Sequence, residues 1–227
     1  MAIHQPNHLP WLGYFAKIAR SDVFVFLDDA QYPKGSYVNR VRIAECGEPV
    51  WLTVPVKVTL GQAISSVAIA RDDWARAHRD RLVQVYRPAQ AFRSVWPEVE
   101  GWLGAAPGSS LAAANIFLIE CIASRLGLAA RFVASSALNV PPAPADARLA
   151  EIVRRLVPGG RYLSGAGGAK YQSDDVFAAA GVLLVYSDFA PRSYRRGDAP
   201  FVAGLSILDA AFHVGWDAVA ELVRPDS

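Results

Sequence analysis

The first 27 residues have the pattern of a compact strand–helix–strand unit. Met1–His4 is a short apolar start, Leu12–Ala19 is a helical segment after a loop rich in Pro, Asn and Gln, and Val23–Leu27 is a continuous apolar run. An unbroken apolar run of this kind is typical of a strand that is buried on both faces. Because crossovers between such strands are right-handed and produce parallel pairs, the pattern predicts a parallel sheet.

The rest of the chain predicts a β-hairpin, a helical insertion and a second strand–helix–strand unit. The predicted strands are Tyr37–Ile43, Val50–Val56, Val67–Ala70, Arg131–Ala134, Tyr162–Leu163 and Val182–Tyr186. The predicted helices are Asp72–Tyr86, Ser94–Leu103, Ser109–Leu126, Ala145–Val157, Asp174–Ala180, Leu205–His213 and Trp216–Val223. We therefore predict a single α/β domain over residues 1–227, with a helical subdomain at about 72–127. Its core would be a mostly parallel, Rossmann-like sheet with helices on both faces and a hairpin after the second strand.

The composition indicates a folded chain without a strongly charged partner. Hydrophobic residues make up 52% and charged residues 19%, and the formal net charge is +2 without a basic run. We expect no DNA partner, whereas RNA is neither indicated nor excluded. Cys46 and Cys121 match no disulfide or metal motif, and the sequence shows neither a signal peptide nor an apolar stretch of the ~20 residues that a membrane span needs. The sequence predicts a cytoplasmic protein without a membrane span.

Three polar loops follow predicted parallel strands. His4–Tyr14 follows the first strand, Asp28–Arg40 follows the second, and Ser164–Tyr171 follows a later one. Ligands of open α/β sheets bind beyond the carboxyl ends of the strands, which all lie at one edge. We therefore expect the three loops to line one cleft.

The loop after the second strand is dense in groups that form hydrogen bonds. The six candidates are Asp28, Asp29, Gln31, Lys34, Asn39 and Arg40. An acidic pair after a buried strand can bind a divalent cation, hold sugar hydroxyls or orient a base. The alternative is a structural loop in which Asp29 caps a turn and Arg40 pairs with Asp28. We favour a functional loop because six such side chains exceed what a turn requires.

His4 is a candidate general base, because the pKa of histidine lies near neutrality. The alternative is a structural histidine that bonds to the backbone at the end of a strand. His8 lies four residues further on, but Pro6 and Pro10 exclude a helix and no third ligand is evident, so we predict no metal site. Further candidate substrate contacts in this loop are Gln5 and Tyr14.

The third loop is part of the glycine-rich segment YLSGAGGAKY at residues 162–171. Backbone amides near Gly165 and Gly168 can approach an anion closely, and Lys170 can neutralise its charge. The segment matches neither GxxxxGK[ST] nor GxGxxG, so a flexible turn is the alternative. Asp209 lies in an apolar stretch and is either a locally satisfied core group or points into the cleft. Tyr162, Ser164 and Asp209 complete the predicted substrate contacts.

Together these motifs resemble the WbqC-like protein family. The resemblance rests on HQPNHLPWLGYF (4–15), DDAQYPKGSYVNRVRI (28–43), YLSGAGGAKY (162–171) and LSILD (205–209), in this order and nearly end to end. It implies a role in bacterial surface-polysaccharide or secondary-metabolite pathways, often beside genes for amino sugars. The positions that match the family pattern are Gln5, Pro6, Pro10, Gly13, Tyr14, Asp28, Asp29, Gln31, Lys34, Asn39, Arg40, Tyr162, Gly165, Gly168, Ser206 and Asp209.

The leading hypothesis from this resemblance is a transferase that forms an amide on a nucleotide-linked amino sugar, by acyl or aminoacyl transfer such as glycyl transfer. Its predicted catalytic residues are His4, Asp28, Asp29 and Lys34. The acyl donor stays open among a thioester, a free acid with ATP and an aminoacyl-tRNA. The cofactor is unknown.

Two alternatives belong to other functional classes. The segment Trp11-Leu12-Gly13-Tyr14 is similar in position to the His-x-Gly-His phosphate motif of nucleotidylyltransferases and pantothenate synthetases, although only the glycine is kept. That similarity supports an ATP-dependent ligase or nucleotidyltransferase. The other alternative is a non-catalytic module that binds a glycan or a partner enzyme.

Overall fold

The computed structural model describes residues 1–224. Its strands are β1 (Ala2–His4), β2 (Val23–Phe26), β3 (Arg40–Glu45), β4 (Glu48–Thr53), β5 (Val56–Lys57), β6 (Ala68–Ile69), β7 (Arg131–Ala134), β8 (Arg161–Ser164) and β9 (Leu183–Tyr186). Its α-helices are α1 (Leu12–Ala19), α2 (Trp74–Tyr86), α3 (Phe92–Ala105), α4 (Leu111–Arg125), α5 (Ala145–Leu156), α6 (Asp174–Ala179) and α7 (Ile207–Val223).

A five-stranded sheet with the order β7-β2-β1-β8-β9 forms the centre of the molecule, and all its neighbouring strands are parallel. From β1 the chain moves outward to β2 and β7, and it then places β8 and β9 on the other side of β1. The direction of progress reverses between β1 and β8, and a crevice opens where their loops diverge. The predicted Rossmann-like parallel sheet is confirmed.

Alternate side chains of β2 enter two hydrophobic cores on opposite faces of the sheet. Phe24 and Phe26 pack in the core that contains α1, α2, α3, α4 and α7, whereas Val23 and Val25 pack with α5 and α6. All four residues of β2 are buried, as its continuous apolar run predicted. The helices of the segment 72–127 thus share one core with the central sheet.

The predicted hairpin is formed by β3 and β4. Glu45 pairs with Glu48, so the turn consists of Cys46 and Gly47 alone. Their φ angles of 49° and 86° are both positive, as a type I′ turn requires, and the twist of this turn matches that of the strands. The hairpin turn predicted from Gly47 is therefore confirmed.

Some predicted boundaries are wrong where long-range contacts compete with regular structure. The strand predicted at Tyr37–Ile43 begins only at Arg40, and the carbonyl of Tyr37 instead accepts a hydrogen bond from the amide of His8. The strand predicted at Val50–Val56 is divided between β4 and β5. The two predicted C-terminal helices, by contrast, are confirmed, because Gly215, with a φ of 81°, is non-helical and separates the two parts of α7. Within residues 1–224, no helix is long and apolar enough to cross a membrane.

Candidate functional site

The crevice between β1 and β8, which we call the switch-point crevice, has a volume of about 430 Å³. His4 and Gln5 line it from the first loop, and Ser164, Gly165 and Gly168 line it from the glycine loop. Its other lining residues are Ile3, Lys17, Leu27, Ala145, Asp146, Leu149, Tyr162, Gly167, Tyr171 and Gln172. Open α/β sheets bind their ligands at this position, where the strand order reverses.

Lys17 lines the crevice in an environment that is unusual for a lysine. It is 5% exposed, and its Nζ atom donates a hydrogen bond to the carbonyl oxygen of Ile3 at 2.8 Å. Desolvation by burial lowers the pKa of Lys17 to about 7, and no carboxylate within the described residues offsets this effect. The amine is therefore partly neutral near pH 7 and can accept a proton, unlike an exposed lysine.

Lys17 belongs to none of the sequence motifs that predicted the site, although the segment LGYFAKIA contains a signal for it. Lys17 is the one charged residue of α1, and its neighbours Tyr14, Phe15 and Ile18 are all buried. A lysine among buried apolar residues is rare unless it is paired, which makes it a candidate for function. Asp146 and Gln172 were also missed, because an isolated polar residue carries no local pattern.

His4 lies beside Lys17 at the end of β1. Its Nδ1 atom lies 3.1 Å from the carbonyl oxygen of Gln5, which can only accept, so Nδ1 carries the hydrogen and Nε2 keeps its lone pair. Burial, and secondly the charge of Lys17, lower the pKa of His4 to about 4. His4 is therefore neutral at pH 7. It can accept a hydrogen bond from a ligand, but it is a weaker base than Lys17.

The shape of the glycine loop depends on Gly168. A Cβ atom there would lie 2.4 Å from both the Oγ atom of Ser164 and the Oε1 atom of Gln172, whereas Gly165 and Gly167 have nothing within 4 Å. Gly168 thus allows Gln172 to approach β8. Within residues 1–224 the buried Oε1 atom of Gln172 has no hydrogen-bond partner, and Gln172 lines the crevice. An N–H or O–H group of a ligand would give this atom the partner that buried polar atoms normally have.

A narrow pocket of about 110 Å³ extends the crevice along α1. The two spaces share His4, Lys17 and Gly165. Trp11 and Phe189 form an aromatic wall, with ring centroids 5.7 Å apart. A Cβ atom at Gly13 would lie 2.4 Å from the Trp11 ring, so the indole covers the first turn of α1. Trp11 stands at the position of the first histidine of the His-x-Gly-His motif, and its indole packs against the glycine that is kept.

Asp28 lies outside the lining of the crevice and bonds to the short helical turn Ser135–Leu138 after β7. Its carboxylate accepts hydrogen bonds from the amide of Ser136 at 2.9 Å, from the hydroxyl of Ser136 at 2.7 Å and from the hydroxyl of Ser135 at 3.1 Å. Asp28 is 5% exposed. These contacts fit a structural carboxylate, although its partners are Ser135 and Ser136 and not Arg40, with which the structural alternative paired it.

Asp29 lies in a groove of about 890 Å³ beside the crevice. Its carboxylate forms an ion pair with Arg148 of α5 and accepts a hydrogen bond from Ser135. The groove and the crevice share Leu27, Ala145 and Leu149. Asp29 is therefore adjacent to the crevice rather than part of it.

A further cavity of about 880 Å³, which we call the hairpin cavity, contains the other predicted residues of this loop. They are Gln31, Lys34, Asn39 and Arg40. Gln31 also lines the groove of Asp29, so the crevice, the groove and the hairpin cavity follow one another in space. The structure thus divides the single predicted cleft into consecutive compartments and separates Lys34 from His4.

Lys170 and Asp209 line none of these cavities. Lys170 is exposed at the end of the short helical turn Ala166–Lys170. Asp209 is fully buried in α7, with the Nε atom of Arg196 2.9 Å from its Oδ2 atom and the hydroxyl of Tyr194 donating at 3.3 Å. The contacts of Tyr194 and Arg196 with Asp209 attach the segment before α7 to the core. Tyr14 lies in the wall of the narrow pocket.

Two polar residues of the helical layer hold the loops around the crevice in place. Asn115 of α4 donates through Nδ2 to the carbonyls of Pro6 at 2.9 Å and Val38 at 2.7 Å. The hydroxyl of Ser206, which precedes α7, donates to the carbonyl of Leu9 at 2.8 Å. Asn115 therefore joins the first two polar loops, and Ser206 attaches the first loop to α7.

The crevice combines groups that suit proton transfer on a polar ligand. Lys17 supplies a partly neutral amine, and His4 and Gln172 supply hydrogen-bond acceptors. The carboxylate of Asp146 also faces this space and accepts a hydrogen bond from the amide of Ser173 at 2.9 Å. Within residues 1–224, no group of three or more His, Cys, Asp or Glu side chains could hold a metal ion.

Comparison with known proteins finds similarity over nearly the whole chain. The model of the WbqC-like protein family matches residues 5–221. The uncharacterized protein Rv1507c of Mycobacterium tuberculosis (strain ATCC 25618 / H37Rv) is 33% identical over 227 residues, which cover 96% of this chain and 95% of that relative. No solved structure matches the chain.

Proposed function

The chain belongs to the WbqC-like protein family, and on this premise we propose that it is a transferase that forms an amide on the amino group of a nucleotide-linked amino sugar. The transferred group would be an acyl or aminoacyl group, such as glycyl, from a thioester or ester donor. The observation that carries the proposal is the buried Lys17, whose pKa of about 7 suits a base in the switch-point crevice.

The proposed reaction needs one group that takes up a proton and releases it again. The amine nitrogen of the sugar attacks the acyl carbon, a C–N bond forms, and the C–S or C–O bond of the donor breaks. The neutral amine of Lys17 accepts the proton that the attacking nitrogen loses and returns it to the leaving thiolate or alkoxide. A pKa near the ambient pH favours both transfers.

The other groups of the crevice would orient the sugar nucleotide. The Nε2 atom of His4 and the Oε1 atom of Gln172 would accept hydrogen bonds from its amino and hydroxyl groups. Gly165 and Gly167 leave space for phosphates to approach the backbone, since nothing lies within 4 Å of their Cβ positions. Gln5, Tyr162 and Ser164 complete the proposed binding surface.

Asp28 would take no part in the chemical steps, because its carboxylate already accepts hydrogen bonds from Ser135 and Ser136. Asp29 and Lys34 would act in the neighbouring compartments, where they could contact the second substrate. The Trp11 indole over α1 disfavours the alternative of a nucleotidyltransferase that binds ATP at this helix.

The test is incubation of the protein with nucleotide-linked amino sugars and thioester or ester acyl donors, followed by mass spectrometry. Wild type and Arg93→Met, a control on the exposed surface of α3, should both add the mass of the acyl group to the sugar. Lys17→Met and Lys17→Arg should lose about 100-fold or more of the rate. Because arginine keeps the charge but not the ability to lose a proton, full activity of Lys17→Arg would contradict the role as a base.

The same series tests the other two functional classes. A product that forms only with Mg-ATP and a free acid would identify a ligase. Stabilisation of the protein by a sugar nucleotide, without turnover with any donor, would identify a binding module.

A further inference from the structure

We propose that the hairpin cavity binds the phosphorylated nucleoside portion of the acyl donor. Two cations, Lys34 and Arg40, line the cavity, and its lining contains no carboxylate. Within residues 1–224 neither cation forms an ion pair. Cations without acidic partners are suited to phosphate groups, which arginine in particular binds through paired hydrogen bonds.

An aromatic surface continues from the cavity onto the outer face of the hairpin. The guanidinium of Arg40 lies 4.2 Å from the ring centroid of Trp51, and Arg42 is the partner of Trp51 in the strand register. The ring of Tyr37 lies 5.6 Å from that of Trp51. Trp51 is 46% exposed and Tyr37 is 40% exposed. Exposed aromatic rings beside arginine side chains are surfaces on which nucleic-acid bases stack.

Two N–H groups of this surface lack acceptors. The Nε atoms of Arg40 and Arg42 are buried and have no hydrogen-bond partner within residues 1–224. Buried donors are normally paired in folded proteins, so an anionic ligand would supply the acceptors that these two N–H groups lack. A ligand with a flat base and phosphate groups matches the rings, the cations and these donors together.

The position of the cavity indicates which substrate would carry this nucleoside. Gln31 connects the hairpin cavity with the groove of Asp29, and that groove shares Leu27 with the switch-point crevice. A donor bound at the hairpin can therefore extend its acyl group toward Lys17. Acyl-coenzyme A suits this arrangement, because a long flexible arm separates its acyl group from its phosphorylated adenosine, whereas an aminoacyl-tRNA carries the acyl group directly on the ribose of its terminal adenosine. The assignment to the donor rests on the proposed transfer reaction, whereas the binding of the nucleoside does not.

The experiment is calorimetric titration of adenosine 3′,5′-bisphosphate into wild type, Trp51→Ala and Arg40→Ala, with the exposed Arg93→Ala as the matched control. Trp51→Ala should weaken binding about 5- to 150-fold, the range for one stacked base, and Arg40→Ala should weaken it as well. Arg93→Ala should bind like wild type. Competition by coenzyme A and by a short RNA that ends in CCA would identify the source of the nucleoside. Absence of binding, unchanged affinity in both variants, or equal displacement by inorganic phosphate would overturn the proposal.

The outcome can be separated from that of the transfer reaction. Lys17→Met should bind the bisphosphate with wild-type affinity, because Lys17 lines a different compartment. If no amide forms but bisphosphate binding still depends on Trp51, the transferase proposal fails and the nucleoside site stands. If an amide forms and Trp51→Ala keeps the wild-type KM for the donor, the nucleoside site fails and the transferase stands.

Discussion

The Nζ atom of Lys17 donates a hydrogen bond to the carbonyl oxygen of Ile3 across a distance of 2.8 Å. Ile3 belongs to β1, the strand at which the order of the sheet reverses, so this bond holds the amine at the crevice. A neutral carbonyl compensates a desolvated charge less than a carboxylate would, and the pKa of Lys17 is lowered to about 7. The hydrogen bond to Ile3 therefore accounts for the position of the Lys17 amine, and the burial of the amine accounts for its lowered pKa.

Replacement of Lys17 by methionine should stabilise the protein while it abolishes amide formation. The pKa of Lys17 falls from 10.5 to about 7 on folding, so between these pH values the unfolded chain binds more protons. Lys17→Met removes that cost and should raise the free energy of unfolding by about 1–3 kcal/mol at pH 7. Urea unfolding should show a higher midpoint with an unchanged slope, and the gain should shrink as the pH approaches 10. A destabilised variant would indicate a structural lysine.

Two buried histidines should make the fold sensitive to mild acid. The rings of His8 and His78 are 5.1 Å apart, and burial lowers their pKa values to about 4 and about 3. Between pH 6.5 and about 4 the unfolded chain takes up these protons first, so the free energy of unfolding should fall by up to about 1.4 kcal/mol per pH unit for each histidine. His78→Phe should make this dependence shallower in urea titrations across the same range. If the free energy of unfolding had the same pH dependence in wild type and in His78→Phe, the protonation of His78 would not cause the sensitivity to acid.

Loss of the Asp28 carboxylate should affect stability rather than turnover. Asp28→Ala leaves the amide and the hydroxyl of Ser136 without their acceptor, which should cost about 1–3 kcal/mol. Asp28→Asn should cost less, because its amide oxygen still accepts from Ser136. Turnover per folded molecule is the decisive measurement. Normal stability with lost turnover would restore the catalytic role that the sequence suggested for Asp28.

Substitution of neighbouring glycines should have different effects on the loop after β8. Gly168→Ala places a methyl group 2.4 Å from the Oε1 atom of Gln172 and should displace that side chain. We expect the affinity for the sugar nucleotide to fall by about 10-fold, the effect of one lost hydrogen bond to a buried group. Gly167→Ala meets open space and should keep the wild-type melting temperature. Equal affinities of wild type and Gly168→Ala would remove Gln172 from the proposed site.

The buried pair of Asp209 and Arg196 should behave as a structural unit. Asp209→Asn leaves the 6% exposed Arg196 without its charged partner and should destabilise the protein by about 3–5 kcal/mol. Replacement of both by apolar residues, as in Asp209→Leu with Arg196→Met, should recover part of that loss. Thermal unfolding of the single and double variants measures the difference. A double variant that is less stable than the single one would argue against a purely structural pair.

Local patterns were sufficient to predict the framework of the protein. The apolar run in β2 predicted a strand that is buried on both faces, and the glycine at Gly47 predicted the hairpin turn. The sequence also predicted two C-terminal helices, and the non-helical Gly215, with a φ of 81°, separates them. These features depend on backbone preferences and on the burial of apolar side chains, which nearby residues largely determine.

The sequence by itself determined that the polar loops lie at one edge of the sheet, because strands connected by right-handed crossovers all point the same way. Only the tertiary structure decided which polar groups of that edge are free to act. Asp28 is occupied by Ser135, which lies 107 residues further along the chain, whereas Lys17 has a carbonyl partner and no carboxylate among residues 1–224. Hydrogen-bond partners and desolvation come from remote segments, so the chemistry of a side chain becomes defined only when these segments pack together.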